Sequence, residues 1–103
     1  MTAVTLYDAS FDDGNVTMHI TLDDQSLVVQ QLIYHNATTQ PGALLITAGQ
    51  QSHSIACPAN SDQTRDLTSL NVVCTKRSGV GRFGPYVVYD LPNGEQVSFQ
   101  WPA

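Results

Sequence analysis

The sequence predicts an all-β domain, a two-sheet antiparallel β-sandwich of seven or eight short strands. Three observations predict it. Apolar and polar residues alternate with a period of two, short runs rich in Val, Ile, Leu and Tyr recur, and turn-forming residues separate them at nearly regular intervals. The 103 residues suffice for one hydrophobic core and are read as a single domain, 1–103.

The elements follow in order. Thr2–Tyr7 is a first strand whose alternation is imperfect, because Val4 and Leu6 differ in parity from Ala3 and Tyr7. Asp12-Asp13-Gly14-Asn15 is a turn. In Asn15–Leu22, Val16, Met18, Ile20 and Leu22 occupy one face and Asn15, Thr17, His19 and Thr21 the other. After a turn at Leu22-Asp23-Asp24-Gln25 come the apolar runs Leu27–Tyr34, Ala43–Thr47, Leu70–Cys74 and Tyr86–Leu91, suited to strands near a sheet centre. Gln40-Pro41-Gly42 and Ala48-Gly49-Gln50 supply further turns. Asn60–Leu70 is the one stretch with a chance of helix, where Ser61 or Asp62 could cap a single turn. Pro92-Asn93-Gly94 is expected to join Tyr86–Leu91 to Glu95–Trp101 as a hairpin.

The expected core is Val4, Leu6, Val16, Met18, Ile20, Leu22, Val29, Leu32, Leu44, Ile46, Ile55, Val72, Cys74, Val88, Val97, Phe99 and Trp101. Small and polar residues dominate Asn60–Asp66 and Ser78–Gly84, which are expected to be the mobile segments.

Charge excludes some partners. The net charge is −5, and residues 1–64 carry six Asp and no Lys or Arg. All four bases, Arg65, Lys76, Arg77 and Arg82, fall in the remainder. A bulk electrostatic grip on nucleic acid needs clustered bases, so no nucleic-acid partner is expected. No apolar run approaches the ~20 residues that span a bilayer, and the start of the chain lacks a basic-then-apolar leader pattern. Secreted and cytoplasmic locations both stay open.

The motifs yield little chemistry. Gly-Val-Gly-Arg-Phe-Gly at Gly79–Gly84 matches a dinucleotide fingerprint in letters. Pro85 and a strand-like run follow it, so the helix that would receive a pyrophosphate is missing. His19, His35 and His53 have no ligand-pair spacing, and neither a G-x-S-x-G elbow nor an S-x-x-K occurs. Asp12-Asp13 and Asp23-Asp24 lack calcium-loop spacing and suit turns. No enzyme activity, cofactor or metal is therefore expected. The sequons at Asn15-Val16-Thr17 and Asn36-Ala37-Thr38 are no more than this Asn- and Thr-rich composition would give by chance.

Cys57 shares parity with Ile55, and Cys74 with Leu70 and Val72, so both are expected to face the core. A disulfide between them would staple two strands and contribute roughly 3 kcal/mol. Two reduced, buried thiols are the alternative, and the sequence leaves both open.

The expected binding residues are Lys76, Arg77, Arg82, Phe83 and Tyr86. Three of the four bases gather there among glycines, beside aromatic rings of the kind enriched at binding hot spots. The competing explanation is a solubilising loop, and the Asp12–Asn15 and Asp23–Gln25 turns are the fallback sites.

From about Ser26 onward the chain resembles the aegerolysins and related small cytolysin-like β-sandwiches. The shared features are Leu27-Val28-Val29, a Pro before Ile46-Thr47-Ala48-Gly49, a Gly-x-x-Gly segment leading into Tyr86-Val87-Val88-Tyr89-Asp90, and the ending Phe99-Gln100-Trp101-Pro102. The chain departs from the family in being shorter and in lacking most of its tryptophans. That resemblance implies recognition of lipid headgroups at a membrane surface. From the residues themselves, the leading expectation is a non-enzymatic module binding a protein partner, as inhibitor, adaptor or antagonist, through loops or a sheet edge. A lipid- or glycan-binding protein is the alternative, and a homodimer through a sheet edge is compatible with either.

Overall fold

The computed structural model describes residues 3–48, 51–92 and 97–103. Nine strands run in chain order: β1 (Ala3–Phe11), β2 (Val16–Asp23), β3 (Val29–Asn36), β4 (Gly42–Ala48), β5 (Gln51–Cys57), β6 (Ser61–Asp66), β7 (Thr75–Gly81), β8 (Gly84–Asp90) and β9 (Val97–Gln100). All pairings are antiparallel, and no α-helix occurs among the described residues. The all-β antiparallel class is as predicted. Its strands form three hydrogen-bonded sheets, ordered β1-β2-β3-β6, β5-β4-β9 and β7-β8.

The two larger sheets share one core. Val16, Met18, Ile20 and Leu22 of β2 and Val29, Leu32 and Tyr34 of β3 cluster with Leu44, Ile46, Ile55, Cys57 and Phe99 of the three-stranded sheet. Period-two alternation aims these residues inward. Two bulges explain where the alternation falters. The register slips between Thr5 and Tyr7, which accounts for the parity change around Leu6, and again opposite Thr21 and Leu22, which sets the buried Val29 three positions from Leu32. Of the expected core, Val4, Leu6, Val97 and Trp101 are partly buried against the cluster. Val88 is half-buried in the third sheet and does not belong to it.

Tyr34, Leu67 and Leu91 join the core, and Asn36 lies buried beside it. Asn36 satisfies its amide internally. Its Nδ2 donates to the Tyr34 hydroxyl and to the Gln40 carbonyl, both at 2.7 Å, while its Oδ1 accepts from the Thr38 N–H at 2.8 Å and the Thr38 hydroxyl at 2.7 Å. The Asn36 side chain is therefore buried with its hydrogen bonds made within the fold.

Several local expectations are corrected. β8 pairs with β7, and β9 pairs with β4, so no Tyr86–Leu91/Glu95–Trp101 hairpin forms. The Asn93-Gly94 step lies outside the described residues. Pairing with β4 buries Phe99 opposite Leu44, whereas β8 finds a nearer partner across the two-residue turn Arg82-Phe83. Ser61–Asp66 is an edge strand paired along its length with β3, and Ser78–Gly84 closes the β7–β8 hairpin, so neither is an open loop. Leu70–Cys74 is not a strand. A single turn at Thr68–Leu70 and a left-handed Asn71 (φ 55°) precede one bridge, Val28 to Val73.

The cysteines are both buried and both free, so the candidate Cys57–Cys74 disulfide does not form. Cys57 ends β5 opposite Gly42 in the three-stranded sheet. Cys74 follows the Val73 bridge, and its N–H donates to the Leu27 carbonyl at 2.8 Å. Strand parity indicates that a residue faces the core. It does not indicate which residue lies opposite.

Candidate binding site

The five expected binding residues all fall on the β7–β8 hairpin. Gly81 and Gly84 face each other as the closing pair, Arg82 and Phe83 form the turn, and Gly84 takes a φ of +115° that side chains rarely adopt. The register sorts the hairpin into two faces. Thr75, Arg77, Gly79 and Gly81 lie opposite Asp90, Val88, Tyr86 and Gly84 on one face. Lys76, Ser78 and Val80 lie opposite Tyr89, Val87 and Pro85 on the other.

Three of the five residues work inside the hairpin. Arg77 Nε donates to Asp90 Oδ2 at 3.0 Å, and this carboxylate raises the guanidinium pKa further above its ordinary value. Lys76 Nζ sits 5.9 Å from the centre of the Tyr89 ring directly across from it. Tyr86 packs its ring over Gly79 and reaches Gly81. These cross-strand pairs stiffen an element that is marginal on its own.

The tip is different. Phe83 is 98% exposed, with the Arg82 guanidinium 5.7 Å from its ring centre. Val80 is 82% and Val87 51% exposed on the face that Pro85 shares. Val80 and Val87 are not among the five residues expected from the sequence. Their signal is period-two spacing on either side of a tight turn, which a loop over Ser78–Gly84 conceals.

Elsewhere Ile33, Leu45 and Val73 are also exposed, at 40%, 42% and 50%. His35 pairs with Asp62 across β3 and β6, and His19 lies opposite Asp8 across β2 and β1. Among the described residues no group of three His, Cys, Asp or Glu side chains converges to hold a metal ion. Two shallow depressions open on the body. One, of about 170 Å³, lies at the hairpin root between Leu6, Tyr7, Tyr89, Asp90, Leu91 and Val97. The other, of about 270 Å³, lies along Asp8, Ser10, Thr17 and His19.

The fallback acidic turns serve the backbone. Asp13 and Gly14 take φ of 52° and 88°, the left-handed geometry of a tight hairpin turn. Asp23 accepts from the Gln25 N–H and the Ser26 hydroxyl, and these bonds hold its pKa below the ordinary carboxyl value.

Compared with protein families, with curated proteins and with solved structures, the chain shows no match. The resemblance to aegerolysins rests on sequence elements alone.

Proposed function

We propose that this protein is a non-enzymatic binding module that docks on a protein partner through the β7–β8 hairpin. The observation that carries this reading is the tip, where Phe83, 98% exposed, stands beside the Arg82 guanidinium on a two-stranded arm. A chain that buries its other two phenylalanines at least in part leaves this one in water. Aromatic and Arg side chains on a rigid scaffold are the usual anchors of protein interfaces.

A second reading keeps the same tip and changes the partner. An apolar ring next to a cation also suits the boundary of a lipid bilayer, and the aegerolysin-like elements point to lipid headgroups.

One pair of proteins tests both. The Arg82→Ala/Phe83→Ala variant should melt like the wild type, because neither side chain contributes to the core. Immobilised wild-type protein should retain lysate protein that the variant releases. The difference should be ~1 kcal/mol or more and should shrink in high salt. Co-sedimentation of wild type, but not variant, with phosphatidylcholine or phosphatidylserine vesicles would instead select the lipid reading. Equal behaviour of the two proteins in both assays would remove the hairpin as the site.

A further inference from the structure

We propose that the partner of the hairpin is a second copy of this chain, joined by antiparallel pairing of β8 with β8 about a two-fold axis at Val87. The inference rests on the hairpin reading and names its partner.

The two edges of the hairpin are unlike. β7, Thr75–Gly81, carries Lys76 and Arg77, the basic residues that commonly guard an edge strand against pairing. β8, Gly-Pro-Tyr-Val-Val-Tyr-Asp, has no charge before its last residue and is rich in β-branched and aromatic side chains. Its sheet contains only β7 and β8 among the described residues, and no described strand pairs with the far edge of β8.

Pro85 fixes which backbone groups that edge presents. Pro85 lies opposite Val80, and without an N–H it cannot exchange two hydrogen bonds with it. Antiparallel ladders alternate, so Gly79–Tyr86, Arg77–Val88 and Thr75–Asp90 are the bonded pairs. The N–H and C=O of Val87 and Tyr89 and the C=O of Pro85 then point away from β7.

Those groups are self-complementary. With the axis at Val87, the two Val87 residues exchange both bonds, and each Tyr89 N–H donates to the Pro85 carbonyl of the other copy. No outward N–H on the strand is left over. The same register sets Tyr86 against Val88 and Pro85 against Tyr89, covering the exposed Val87 and Tyr86 with apolar neighbours.

This register also gives the tip a place. Phe83 comes level with Leu91 of the second copy, at the hairpin root where Leu6, Tyr7, Tyr89, Leu91 and Val97 line a depression of about 170 Å³. Asp90 borders that depression, so Arg82 approaches a carboxylate as Phe83 approaches an apolar surface. Each copy supplies one tip and one root, as an isologous interface requires.

Sedimentation equilibrium of the full chain and cross-linking test the inference. Wild type should be dimeric at tens of micromolar, whereas Val87→Lys and Val87→Pro should be monomeric with the circular dichroism of the folded chain and a melting temperature that no longer rises with concentration. The proline removes only an outward N–H. Across a bonded antiparallel pair the Cα atoms are ~5.5 Å apart, within disulfide range. Val87→Cys should therefore give an oxidised dimer on a non-reducing gel, while Ser78→Cys, on the same face but one strand further out, should not. Should the proline variant fail to fold, Val87→Lys and the two cysteine variants decide. A wild-type monomer at several hundred micromolar, or a dimer that survives both Val87 changes, overturns the proposal. In either case the Arg82→Ala/Phe83→Ala capture experiment still judges the hairpin reading independently.

Discussion

The Tyr86 ring occupies the space a side chain at Gly79 would need: a Cβ there would stand 2.7 Å from the Tyr86 hydroxyl oxygen and 2.9 Å from Cζ. The two residues face each other across β7 and β8, so the absent side chain of one is filled by the ring of the other. Gly79→Ala should push Tyr86 off the strand and loosen the arm without touching the core. In hydrogen exchange, amides of residues 75–90 should lose protection by about tenfold while β2 and β3 keep theirs. Unchanged protection in the arm would mean that Tyr86 does not brace it.

Phe99 packs in the core shared by the two larger sheets. Its ring lies 5.8 Å from that of Phe11 and 6.0 Å from that of Tyr34, and Gly42 approaches so closely that a Cβ would meet Phe99 Cζ at 2.9 Å. Phe99→Ala should cost ~3–5 kcal/mol in urea unfolding, the range for an aromatic removed from a packed core. A loss below 1 kcal/mol would contradict its placement between the two sheets.

These two aromatic residues show what the sequence made legible. Phe99 was readable because Val97, Phe99 and Trp101 alternate with polar residues, and alternation alone assigns a face. Its partner strand was not readable, since the Asn-Gly signal is local while the pairing of β9 with β4 spans half the chain. Tyr86 is expected as a binding residue from its place in the Lys76–Tyr86 segment, yet its ring lies over Gly79 within the hairpin. Arg82 and Phe83 are expected from the same segment and do stand at an exposed tip. What distinguishes them is register, which sequence spacing expresses only after the turn has been located.

The cysteines give a direct chemical check. Burial raises both thiol pKa values, and for Cys74, where the Asp90 charge adds to burial, the value is pushed up to about 11. Little thiolate exists at pH 8, so the folded protein should react negligibly with a thiol-specific chromophore. Denaturant without reductant should release both thiols at once. A denatured, unreduced protein that titrates none would restore the disulfide between Cys57 and Cys74.

Acid should destabilise the fold through two carboxylates that accept hydrogen bonds in local turns. Asp23 accepts first from the Gln25 N–H and then from the Ser26 hydroxyl, while Asp66 accepts from the N–H and hydroxyl of Thr68. Each set favours the ionised form, so both pKa values lie below the ordinary 3.8 in the folded chain. A carboxyl with a lowered folded-state pKa contributes stability that is fully present above its unfolded pKa. That contribution is lost as pH falls through the folded value. Urea midpoints should therefore hold steady from pH 7 to about 5 on account of these groups, then decline below about pH 4. Asp23→Asn and Asp66→Asn retain a carbonyl oxygen able to accept the same backbone N–H but cannot titrate there. Each should flatten the acid limb of the profile, and the double variant should flatten it most. An acid limb as steep in the double variant as in the wild type would overturn the assignment of the acid sensitivity to Asp23 and Asp66.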